Sequence, residues 1–125
     1  MENVSDEIME IIQVVTIVHD IGIKVSIEKY GECNGKLQEQ EGPVFATKLL
    51  DKLRFDQKLI ERVCYLVAHH HTYSNIDGID YQILVEADFL VNIYENKYNE
   101  MQIENIYNKI FITELGRKIL RQMFM

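Results

Sequence analysis

All four histidines of this 125-residue chain fall in two places: His19, followed directly by Asp20, and the run His69-His70-His71. Residues 11 to 23 read IIQVVTIVHDIGI, so the His-Asp pair closes a nearly unbroken aliphatic run. At 3.6 residues per turn, Gln13, Thr16 and the His19-Asp20 pair fall on one narrow strip of a helix. A second carboxylate, Asp88, sits among aliphatic and aromatic residues in ILVEADFLVNIY, residues 83 to 94. An ionised Asp in such surroundings needs a partner or a cation. Two such aspartates and a histidine cluster on helices are the donor set of an oxygen- and nitrogen-ligated metal ion. Taken singly, His19 reads equally as a core histidine bonded to a carbonyl, Asp20 as a helix cap and the histidine run as a solvated helix end. Asp20 and Asp88 together favour one shared site.

The elements that must position these groups are helices. The first is expected from about Ser5 to Ile21, with Ser5 as N-cap, Asp6 and Glu7 at its positive end and Gly22 at its exit. Its apolar circumference predicts burial. Residues 23 to 41 carry no strong period and read as an irregular connection with a short helical piece around Val25 to Tyr30. A second helix is expected from Gly42-Pro43, a third from Asp56 to near His70, and a fourth over Tyr81 to Asn96. TYSNIDGID between the last two is turn chemistry. Helices over Glu100 to Phe111 and Thr113 to Phe124 complete an all-α single-domain bundle of five to six helices.

A hydrophobic fraction of 47% and a charged fraction of 26% are ordinary for a soluble globular domain. The net charge of −7 disfavours binding to a nucleic-acid polymer or an anionic membrane surface. The longest apolar stretch is too short to span a bilayer. Cys33 and Cys64 make neither a disulfide framework nor a metal spacing, and no signal-peptide pattern is present; both features fit a cytoplasmic protein.

HDIG at 19 to 22, LVAHHH at 66 to 71 and ILVEADFLVNI at 83 to 93 resemble, in order and spacing, the HD-domain metal-dependent phosphohydrolases. The resemblance covers residues 5 to 95 and extends loosely beyond. It implies a helical bundle of the HD type holding a divalent cation (Mn, Fe, Co, Ni, Zn or Mg) that activates a water and shields a phosphoryl oxygen. The metal ligands it implies are His19, Asp20 and Asp88, joined by His69 and His70 or by His70 and His71, the register being open by one residue. Asp20 takes the catalytic role. Lys24, Lys36 and His71 are candidates to meet a small phosphorylated substrate, a nucleotide or another phosphate ester; Arg54 is a further one.

Two departures from the family pattern stand out. The family's first ligand is a His on a helix before the HD helix, and none of the 18 residues before His19 is a histidine. Gln38 stands where two-metal members carry His, and an amide is a poor transition-metal ligand. Ile23 also differs from the Lys or Glu that several active members carry after HDIG. The missing helix implies a shortened form starting internally at Met1, or a homo-oligomer whose second copy covers the exposed face. The alternative function is a degenerate HD domain that serves in binding or assembly.

Overall fold

The computed structural model describes residues 4–20, 22–32 and 34–125; Met1, Ile21 and Cys33 lie outside the described residues, as does the side chain of Lys24. Seven helices and no strand make up these residues: α1 (Asp6–Val18), α2 (Gly22–Tyr30), α3 (Gly35–Lys52), α4 (Gln57–His69), α5 (Ile79–Asn96), α6 (Glu100–Lys109) and α7 (Glu114–Phe124). The all-α expectation holds, with one helix more than the upper expectation. No described helix is long and apolar enough to cross a membrane.

α1 begins as expected, with Ser5 Oγ accepting from Ile8 N at 3.2 Å. It ends earlier, at Val18, with His19 as its C-cap. Gly22 is therefore not an exit but the first residue of α2, and the His-Asp pair sits in the bend between two helices. Burial of α1 is one-sided. Ile11, Val15 and Val18 are buried against α4 and α5, whereas Ile17 is 82% exposed. Val91 of α5 is also exposed, so the apolar circumference of neither helix is fully covered.

The largest difference lies in the connection read as irregular. α3 starts at Gly35, and Pro43 falls inside it rather than at its first turn. Asn34 is its N-cap, accepting from Leu37 N at 2.9 Å. A proline in a helix interior removes one backbone hydrogen bond and costs about 3 kcal/mol. Extensive packing of α3 on both α2 and α4 offsets it.

The main core joins α1, α3, α4 and α5 through Val15, Val18, Ala46, Leu50, Ile60, Val63, Leu66, Val67, Leu84 and Val85. A smaller one, Ile93, Ile103, Phe111 and Leu120, holds α6 and α7 against the end of α5. Between them, the buried Glu86 carboxylate accepts from Gln82 Nε2 (2.6 Å), Ile112 N (2.9 Å) and Thr113 N (3.0 Å), and from the Thr113 hydroxyl. A bidentate pair locks α4 to the first turn of α5: Arg62 Nε donates to Asp80 Oδ2 at 2.8 Å and Nη2 to Oδ1 at 2.6 Å. This pair and the Glu86 knot fix where α5 carries Asp88.

Candidate metal centre

Three segments converge on one place: the α1–α2 bend, the end of α4 and the middle of α5. His19 donates its Nδ1–H to the carbonyls of Val15 (3.2 Å) and Thr16 (3.1 Å) in the last turn of α1, the first of which also accepts the His19 backbone N–H at 2.8 Å. That turns Nε2 toward two carboxylates, 3.3 Å from Asp20 Oδ2 and 3.7 Å from Asp88 Oδ1. Asp88 is mostly buried, whereas Asp20, lying past the end of α1, is half exposed rather than enclosed. Its other oxygen, Oδ1, faces His70 Nε2 at 3.7 Å. One carboxylate thus addresses a histidine from α1 on one side and a histidine from α4 on the other.

His70 is the most constrained of the set. It is fully buried, and its Nδ1–H is donated to Val67 O at 2.8 Å. A carbonyl only accepts, so the proton is on Nδ1 and Nε2 presents a lone pair. At 3.7 Å from Asp20 the contact is electrostatic rather than a formed hydrogen bond, and Nε2 has no hydrogen-bond partner. A buried lone pair facing a carboxylate oxygen is relieved by positive charge between the two, a second proton or a metal ion.

His71 completes the group. Ligand atoms of Asp20, His70 and His71 lie within 4.8 Å of one another. Ligands at about 2.0–2.2 Å from a zinc-like ion stand about 3–4 Å apart, so small side-chain rotations bring this trio to that spacing. The donor set fits a divalent cation, and the carbonyl-held Nδ1–H of His70 is the support a metal-bound imidazole needs. His71 Nε2 donates to Gln38 Oε1 at 2.9 Å, and its backbone N–H donates to Glu39 Oε2 at 3.0 Å. The first turn of α3 packs closely on the same residue: a Cβ at Gly35 would stand 2.9 Å from His71 Cβ.

The charges follow this geometry. With a second proton on its Nε2, the His70 side chain holds the Asp20 carboxyl below its usual range, against the opposing cost of burial. Burial works against a charged His19, but the contact with Asp88 and the charge of Asp20 outweigh it and raise the imidazole above its usual 6.5. Burial and then repulsion from His70 push His71 down.

The structure brings His19, Asp20, Asp88, His70 and His71 together. His69 is turned away, its ring stacked on Tyr65 at 4.3 Å and its Nδ1–H donated to Tyr65 O at 2.7 Å. Of the two registers open in the sequence, the pair beside Asp20 is His70 and His71. Lys36 is exposed in the first turn of α3, and Arg54 is exposed in the α3–α4 turn. Sequence reasoning left out Gln38 as a partner of His71, Glu39 and Tyr73; none carries a local pattern that marks it. An apolar cavity of about 180 Å³ between α1, α5 and α7 is lined by none of the site residues.

No family model, curated protein or solved structure matches this chain.

Proposed function

We propose that the chain is a metal-dependent phosphohydrolase of the HD superfamily, acting on a nucleotide or another small phosphate ester. The observation that carries the reading is the buried, unpartnered Nε2 of His70 facing Asp20 within a cluster completed by His71. The ordered resemblance of HDIG, the histidine run and the AD of α5 supports the same assignment. Asp20, His70 and His71 would hold the ion, with His19 against the second oxygen of Asp20 and Asp88 against His19. A divalent cation there supplies Lewis-acid charge against a phosphoryl oxygen and a water made acidic enough to attack at neutral pH. Asp20 stays ionised and anchors the site. His19 shares the charge of the two aspartates at Nε2, and Asp88 orients that imidazole from α5.

The test pairs metal uptake with phosphate release in Mn²⁺, Co²⁺ or Ni²⁺, comparing the chain with Asp20→Ala and Asp88→Ala. The expected result is micromolar or weaker metal binding, metal-dependent turnover by the unchanged chain, and loss of both for Asp20→Ala. Equal turnover by all three forms would overturn the assignment.

One observation favours the second reading, a degenerate HD domain used in binding or assembly. Gln38 Oε1 takes the His71 Nε2–H, so only Nδ1 of that imidazole is left for an ion, and the Tyr73 hydroxyl stands 3.5 Å from it. Metal uptake without turnover on any phosphate ester is the result that reading requires.

A further inference from the structure

We propose that Tyr73 is the ligand-orienting residue of this centre, its hydroxyl donating a hydrogen bond to a phosphoryl oxygen seated over the Asp20, His70 and His71 cluster. The inference rests on the metal reading above and names a group that no motif supplies. Tyr73 stands two residues beyond His71, in the segment that leaves α4. Its ring packs on Phe89, the neighbour of Asp88, with centroids 4.9 Å apart. Its hydroxyl lies 3.5 Å from His71 Nδ1. The residue therefore bridges the segment that follows α4 and the aspartate helix α5.

Two features suit it to a ligand rather than to the core. Tyr73 is 39% exposed as a residue, against 0% for His70, so its ring is anchored at the edge of the fold rather than enclosed in the core. With the His71 Nε2–H given to Gln38, the Tyr73 O–H meets the lone pair of His71 Nδ1 only at 3.5 Å, the far end of the hydrogen-bond range, a weak contact that a phosphoryl oxygen would replace. Contrast Tyr81, which is buried and whose hydroxyl meets His69 O at 2.7 Å and also the Thr72 carbonyl. That phenol is structural. The site also needs a donor on its open side. Asp20 and Asp88 repel an anion, so a phosphoryl group drawn to a cation there gains from a neutral O–H that offsets the carboxylates. A phenol does this without adding charge or competing for the ion.

The test compares the full chain with Tyr73→Phe, which keeps the ring against Phe89 and removes only the oxygen. Mn²⁺ binding is measured first by calorimetry. Binding of inorganic phosphate to the Mn²⁺-loaded protein is then followed by paramagnetic broadening of the ³¹P signal. Expected are Mn²⁺ affinities equal within about two-fold and a phosphate affinity at least about ten-fold weaker in the variant, the usual effect of losing one hydrogen bond to a charged group. Equal phosphate affinity would overturn the proposal, and so would a parallel loss of Mn²⁺ affinity, which would make Tyr73 a support for the ligands. If the unchanged chain takes up no Mn²⁺, the metal reading itself falls at the first titration, and the role of Tyr73 falls with it.

Discussion

The ionised groups of this chain do two different jobs, and acid distinguishes them. Asp80 is buried with a guanidinium across it; burial alone would raise its carboxyl, yet the paired Arg62 and the Tyr81 N–H hold it below the ordinary 3.8. A folded-state value below the unfolded one means that the pair adds stability above the unfolded value and loses it as pH falls through the lowered one. Urea unfolding should therefore show Asp80→Asn costing about 3 kcal/mol near neutrality, where an unpaired Arg62 remains against the helix, and much less near pH 2. An undiminished cost at low pH would show that the carboxylate's charge is not what matters. Arg62 and Asp80 could not be paired from the sequence, because TYSNIDGID reads as a turn whichever residue its last aspartate meets. His19, Asp20, Asp88 and the histidine run were legible, since ionisable groups in apolar stretches demand an explanation wherever the chain takes them.

At the scale of elements, the close contact between α2 and α3 sets the site. A Cβ on Gly22 would stand 2.8 Å from Gln38 O and 3.0 Å from Gly42 N, both backbone atoms that cannot rotate away. Gly22→Ala should push α2 from α3 and displace Asp20, two residues before it. The expected cost is about 1–3 kcal/mol of stability, as for other overpacked contacts, with metal affinity falling further than stability does. Metal affinity unchanged in a destabilised variant would uncouple the bend from the site. Asn34→Ala, in contrast, should cost about 1 kcal/mol through the lost cap of α3 alone, read by thermal unfolding. The start of α3 was hidden in the sequence for a related reason. Gly42-Pro43 has the composition of a helix start, and the polar turn from Gly35 to Glu41 shows no apolar period because Gln38 and Glu39 serve the histidines instead. Likewise the end of α1 was obscured, since its aliphatic run continues beyond the point at which the backbone turns.

For the whole molecule, Glu86 is the stitch between two cores. Its four donors come from α5 itself and from the two residues that lead into α7. Gly116 lies against it so closely that a Cβ there would collide with the carboxylate. Glu86→Ala should leave the N–H groups of Ile112 and Thr113 unsatisfied and loosen α6 and α7 from the rest. Amide hydrogen exchange should then accelerate over residues 100–124 by about ten-fold or more, with α3 and α4 still protected. Uniform acceleration would mean that the two cores unfold as one.

The His/Asp cluster is drawn from the bend after α1, the end of α4 and the middle of α5, so no fragment short of most of the chain contains it. Such a site has a place in time as well as in space. Local helices form within microseconds, but Asp20 meets His70 and Asp88 only after two long loops have closed, which topology makes slow. In refolding, helical signal should return before the capacity to bind Mn²⁺, and the interval between them measures the docking of the α1–α2 bend on the end of α4. Excess Mn²⁺ would then act on the finished fold alone, slowing its unfolding while leaving the early helical phase untouched.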